Sequence, residues 1–274
     1  MSSTSVVSAA ARVESGRRAS RRIPLPRGTI GLIVPVLLLG VWQLLVEREV
    51  YTRGQLPAPL DVWRAGEQLQ TAGLLWENIQ VSLVRVGWGF AVGGGIAIAL
   101  GLLVGLSPLA DALLSPTIQA MRAIPSLAWV PLLILWMGIG EEPKLTLIAI
   151  GVFFPVFTAL VGGIRQIDRK LIEVGYAYGL RGPRLARGIV LPAALPSLLT
   201  GLRIGLAQGW LFLVAAELIG ASTGLGFLLT DGQNSGRADI ILLSIIILAL
   251  IGKLTDLLLQ WGERWLLRWS DAYR

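Results

Sequence analysis

The residues best placed to do chemistry lie in one polar stretch between two apolar runs. It begins Asp168-Arg169-Lys170-Leu171-Ile172-Glu173 and ends Ile189-Val190-Leu191-Pro192. Its chemistry is recognition: a basic, glycine-punctuated loop in a chain that is otherwise mostly membrane is exposed for a soluble partner to grip. Covalent and metal chemistry are poorly served, because the 274 residues include no Cys and no His. Disulfides, thiolate catalysis, imidazole metal sites, His proton relays and haem held by His or Cys are thereby excluded.

The loop has its own local logic. Asp168 can cap a helix over 169–178, and Gly179 supplies the left-handed residue that ends it. Gly182-Pro183 restarts the chain, with Pro183 at the favoured first helical position. Pro192 and Pro196 are expected to end this second helix and begin the next span. The prediction is a compact helix pair with a basic rim, held firmly to the spans it joins.

The elements that must hold this loop are apolar. Hydrophobic residues make up 54% of the chain and charged residues 15%, against about 25% charged in soluble domains. A net charge of +7 could suggest nucleic acid. The basic residues instead flank apolar spans, a topology signal with no nucleic-acid groove. Crossing a bilayer takes roughly 20 apolar residues, and six stretches approximate that length: 30–46, 81–106, 118–139, 145–164, 197–220 and 239–260. The chain is therefore expected to be all-α and polytopic, with a disordered basic tail over 1–28 and a membrane domain over 29–274. The run at 30–46 resembles a signal-peptide core, but its long basic prelude and the lack of a small-x-small site make it an uncleaved first span. The second span is glycine-dense, which allows close helix approach in lipid. The third, with Pro116, Pro125 and Pro131, is expected to be an interfacial helix followed by a kinked span.

Orientation follows from Lys and Arg. Placing the tail, the 165–195 loop and the C-terminus (Arg264, Arg268, Arg274) in the cytoplasm leaves only Arg48, Arg53, Arg64, Lys144 and Arg237 outside. The segment 47–80 then reads as an outer lid, or as a partner contact. Trp261, Trp265 and Trp269 share one helical face, an interfacial anchor.

The loop spacing is also recognisable. Glu173, Gly179 six residues on, and Ile189-Val190-Leu191-Pro192 resemble the Glu-Ala-Ala loop of ATP-binding-cassette importer permeases; the two alanines are replaced by Val174 and Gly175. Ile124-Pro125-Ser126-Leu127-Ala128-Trp129-Val130-Pro131-Leu132, Trp136-Met137-Gly138-Ile139-Gly140 and Leu191-Pro192-Ala193-Ala194-Leu195-Pro196-Ser197 are similar to the branch importing aliphatic sulfonates, taurine, nitrate and bicarbonate. Trp210 to Glu217, Gly252-Lys253-Leu254-Thr255-Asp256 and Arg268-Trp269-Ser270-Asp271-Ala272-Tyr273 are most similar to its aliphatic sulfonate members.

The resemblance implies a type I importer permease of the bacterial inner membrane, with its core at about 76–264. Two copies would form the translocation path. Two ATPase subunits, which bind the ATP and Mg, would engage the loop through Glu173, Gly179, Arg181, Pro183, Arg184, Ile189, Leu191 and Pro192. An extracytoplasmic binding protein would deliver the substrate. The chain has no G-x-x-x-x-G-K-[ST] run, so it needs no cofactor of its own and hydrolysis belongs to another subunit.

Inside the spans, ionisable groups are the natural functional candidates, since each costs about 2.5–3.5 kcal/mol on insertion scales. Glu217 is the clearest, either in interhelical hydrogen bonding or on the path. Gln208 and Arg122 are further path candidates. Arg122, Arg203 and Lys253 can snorkel to headgroups, and Lys253 can pair with Asp256 three residues on. Ser222, Thr223, Gln233 and Asn234 could face the path or the binding protein, whereas Gly224 and Gly226 fit a turn. An intramembrane enzyme would need paired acids or metal ligands, and a proton-coupled carrier would need repeats with midplane charges. Neither pattern is present, and neither class has a use for the 168–192 loop.

Overall fold

A computed structural model describes residues 27–52 and 54–268, with side chains from residue 33 onward. The predicted tail as far as residue 26, and the closing motif from Trp269 onward, lie outside the described residues; the last two tail residues, 27 and 28, already belong to helix. Among these residues every regular element is a helix: α1 Arg27–Glu47, α2 Pro59–Thr71, α3 Leu74–Leu106, α4 Pro108–Ala123, α5 Val130–Met137, α6 Glu141–Arg165, α7 Arg169–Ala177, α8 Pro183–Leu185, α9 Leu191–Gly220, α10 Leu225–Asn234 and α11 Ala238–Leu266.

Four helices are long and apolar enough to cross a membrane: Leu74–Leu106, Glu141–Arg165, Pro183–Gly220 and Ala238–Leu266. The stretch 118–139 is, as expected, an interfacial helix, α4, followed by a second helix over Ser126–Met137 bent by 91° from it, and together the pair is long and apolar enough for a fifth crossing. The break falls at Ile124, whose ψ of 125° is extended, the conformation that the following Pro125 imposes. The described apolar part of α1, Ile33–Glu47, is too short to qualify alone.

α6 is the centre of the bundle, flanked by α3 and α9. Its Leu147, Ile148, Val152, Val156 and Leu160 are fully buried. Lipid gives helices no hydrophobic reason to associate, so this packing depends on close backbone approach. Gly93 of α3 lies directly against the Ala149 backbone of α6, where a β-carbon would have no room. Gly201 of α9 meets α6 similarly: an added Cβ would lie 2.6 Å from the Ala159 side chain and 3.3 Å from the Pro155 carbonyl. α2 is amphipathic, burying Val62, Ala65 and Leu69. It closes over a smaller core that includes Leu225, Leu228 and Ile240 of α10 and α11.

Candidate functional site

The polar loop emerges at the end of the bundle where α6 finishes and α9 begins. Asp168 caps α7 as the sequence predicts, its carboxylate accepting from the Lys170 N–H at 2.9 Å. The helix then stops at Gly179 (φ 75°), with the Leu180 N–H returning to the Gly175 carbonyl at 2.9 Å. This is the six-to-one closure of a glycine-terminated helix. Gly182, at φ 52°, turns the chain into Pro183.

Gly175 packs against the second half of the loop. A β-carbon there would lie 2.5 Å from Leu185 Cδ1 and 2.6 Å from Ile189 Cδ1, so this glycine seats α7 closer than alanine would. Leu185 and Val190 are buried, and Ile189, Leu191 and Pro192 are half-buried. Glu173, Gly179, Arg181, Pro183 and Arg184 face solvent. Leu171, Val174 and Tyr178 form an outward stripe at helical spacing, 49%, 50% and 82% exposed. The loop thus presents an apolar ridge with an acid at Glu173 and a basic rim.

One expectation fails here: Pro192 and Pro196 do not end the second helix. α8, a π-helical turn over Ala186–Val190, and α9 form one continuous helix, Pro183–Gly220. The Leu191 N–H donates five residues back to the Ala186 carbonyl. The hydrogen-bond register returns to α immediately afterwards, at Pro192, which has no N–H to donate, so the proline sits where the ladder changes pattern.

At the opposite end of the same helices lies a partly buried ion-pair cluster. The Arg85 guanidinium on α3 grips Glu141, the first residue of α6, through Nε and Nη2, both at 2.6 Å. Its Nη1 reaches Glu217 of α9 at 2.7 Å and the Thr223 carbonyl at 2.6 Å. Glu217 also accepts from the Ser82 hydroxyl at 2.8 Å and the Gly226 N–H at 2.7 Å. Ser82 in turn accepts from the Leu225 N–H at 2.8 Å, and Asn78 accepts from the Gly224 N–H at 2.5 Å. Lys144 adds a second cation on Glu141, at 3.0 Å. Two carboxylates and two cations thus balance; Arg85 and Glu217 are buried and hydrogen-bonded on every side, as burial of charge demands, whereas Glu141 is 56% exposed.

Glu217 is therefore engaged in interhelical hydrogen bonding. Gly224 and Gly226 do more than turn the chain. At Gly224 (φ 122°) a β-carbon would collide with the Glu217 carboxylate, and at Gly226 it would lie 2.7 Å from Glu217 Cβ. Arg85 is absent from the sequence candidates; its signal is a lone cation within an apolar span.

The other candidates are dispersed. Gln208 is half-buried midway along α9, and Arg122 is exposed on α4, 3.5 Å from the Thr158 hydroxyl. Lys253 meets Asp256 at 3.4 Å, as its spacing predicts. Arg203, expected to snorkel, instead joins α9 to α11 through Asp256 at 3.1 Å and Glu263 at 3.3 Å. Ser222, Gln233 and Asn234 are exposed, and the Thr223 carbonyl belongs to the cluster. On that face Arg237 donates to Gln68 of α2 at 2.9 Å, and hydrogen bonding to Asp239 raises its pKa above the ordinary value. Trp261 and Trp265 project outward from α11.

Comparison with known proteins agrees with this architecture. Two proteins named SsuC, for aliphatic sulfonates transport permease, are similar: that of Escherichia coli K12 is 41% identical over 240 residues (88% of this chain, 91% of the relative). That of Bacillus subtilis 168 is 37% identical over 243 residues (89% and 88%). The taurine transport system permease TauC of E. coli K12 is 35% identical over 259 residues (92% and 94%). Among solved structures, a chain of the MetNI methionine ABC transporter aligns with a TM-score of 0.61 at 21% identity, covering 72% of this chain and 98% of that one. That similarity concerns the fold, the type I importer permease arrangement. Residues 94–268 match the family described as binding-protein-dependent transport system inner membrane component. The chain belongs to that family: a multi-pass inner-membrane permease subunit of an ABC importer, itself non-catalytic, with ATP hydrolysed by a separate ATPase.

Proposed function

We propose that this permease imports aliphatic sulfonates. The observation that carries the reading is the 41% and 37% identity, over nearly the whole chain, to permeases named for that transport. Two copies form the path, with both termini and the 165–195 loop in the cytoplasm, the basic tail over 1–28 preceding the membrane domain, and the core at 76–264. Two ATPase subunits binding ATP and Mg engage the α7 surface through Glu173, Arg181 and Arg184. Gly179, Pro183, Ile189, Leu191 and Pro192 hold that surface in shape. An extracytoplasmic binding protein docks at the far side, where the loop 221–224 and the α10–α11 turn lie. Glu217 acts as a latch holding the outer ends of α3, α6 and α9, while Gln208 and Arg122 face the moving substrate.

The test is uptake in cells lacking this chain and then complemented with it. Restored accumulation of alkanesulfonates, lost again with Glu173→Lys, supports the assignment. Restoration of taurine uptake alone favours the second reading, which rests on the TauC similarity. Accumulation of neither compound rejects both.

A further inference from the structure

Residues 108–140 form a bent arm beside α6: α4, the extended corner at Ile124, then the helix over Ser126–Met137. One end of this arm is covalently part of α6, since Gly140 leads directly into Glu141. The other end is fastened to α6 by an ion pair. Arg165, the last residue of α6, reaches the carboxylate of Asp111, in the first turn of α4, with Nη2 at 2.6 Å. The same Asp111 oxygen accepts from the buried Ser115 hydroxyl one turn on, which fixes its direction. Arm and α6 thus make a closed bracket, completed by one contact between residues 54 apart in the chain.

α4 is otherwise lightly packed. Of its 16 residues only Ser115 and Ile118 are buried, and Arg122 near its end meets Thr158 of α6 at 3.5 Å. Extended joints flank it, at Ser107 (ψ 111°) where α3 ends and at Ile124 (ψ 125°) before the corner. Hinges are residues of this kind, at the ends of elements, so α4 is free to rock unless it is tied.

The tie lies at the root of the polar loop. Arg165 stands three residues before Asp168, the cap of α7. The connecting Gln166 and Ile167 bond back to the Gly162 and Ile164 carbonyls at 3.2 and 3.3 Å, so no slack separates the loop from the end of α6. We infer that Asp111 and Arg165 are positioning residues for coupling: their pair makes α4 follow the end of α6 when a docked ATPase moves the loop. The inference rests on the ATPase engaging this loop, as proposed above. Exposed ion pairs contribute little to stability, and these side chains are 37% and 54% exposed. The pair therefore serves the motion of α4 more than the holding of the fold.

The chain has no Cys, so spin labels can be placed without removing any. Leu113→Cys on α4 and Val84→Cys in the first part of α3 use exposed positions. In the complete importer complex in phosphatidylcholine nanodiscs, ATP with vanadate should change the distance between these labels by about 1–2 Å. Asp111→Asn and Arg165→Met should each abolish the change, and Arg165→Lys, which keeps the charge, should retain it. Melting temperatures should match the wild type in all three. In proteoliposomes, ethanesulfonate taken up per ATP hydrolysed should fall about fivefold in the two broken variants. It should not fall in Arg64→Met, which removes an exposed pair elsewhere. The distance measurement needs no transport substrate and decides by itself. Labels that do not move in the wild type, or that move equally in Asp111→Asn and Arg165→Met, overturn the inference. Lowered melting temperatures with the label movement unchanged assign the pair to stability alone and overturn it too. Failure of the docking reading shows separately: Glu173→Lys then keeps the co-purifying ATPase, whatever the labels report.

Discussion

Arg85 and Glu217, 132 residues apart in the chain, meet at 2.7 Å with both side chains sealed from the surroundings. The contact ties α3 to α9. Since the same guanidinium holds Glu141, three helices are closed by one side chain.

Glu217→Gln keeps the shape and removes the charge. Arg85 retains Glu141, so the loss should be near the lower end for breaking a buried pair, about 3 kcal/mol. Thermal unfolding of the detergent-solubilised chain is the measurement. Arg85→Met combined with Glu217→Leu should be more stable than Glu217→Gln, because no uncompensated charge is left inside.

Gly224→Ala should destabilise more than Gly236→Ala. Both glycines have positive φ, at 122° and 66°, but only at Gly224 does the new methyl strike the Glu217 carboxylate. The backbone cost alone is about 1 kcal/mol. An equal fall in melting temperature for the two would show that the carboxylate can move aside.

Gly93→Leu and Gly95→Leu form a matched pair in α3. Gly93 abuts the Ala149 backbone, whereas Gly95 has open space around it. The first should prevent α3 and α6 from packing and yield little folded protein; the second should be recovered near wild-type level. Size-exclusion chromatography of the purified chain distinguishes them.

Asp168→Ala removes the cap of α7 and should cost about 1 kcal/mol locally. Faster amide exchange confined to 169–173, with the spans unchanged, is the expected result. Glu173→Lys leaves the cap in place and should instead lose the co-purifying ATPase.

What the sequence disclosed about the loop was local: a capping acid, a glycine stop and a proline start act within a few residues of themselves. The same local reasoning misjudged Pro192, because a proline that usually breaks a helix is accommodated where a π turn returns to α register. Hydropathy alone does not register the 91° corner in 118–139; its prolines are what marked an interfacial helix ahead of a kinked segment. Arg85 was illegible for a different reason. A charge in an apolar run announces a partner without saying where, and its partners on α6 and α9 are set only by the packing of the bundle. The substituted alanines of the loop motif became intelligible the same way, once Gly175 was found against Leu185 and Ile189.

The unbroken helix Pro183–Gly220 has a consequence for how the two faces of the membrane communicate. Its 38 residues extend about 57 Å, with the basic rim at one end and Glu217 at the other. No slack segment lies between them to dissipate a push. Information passing from the end that carries the loop is thus confined to what a stiff shaft can carry, a tilt, a shift or a rotation, and events at the two ends share one moving part.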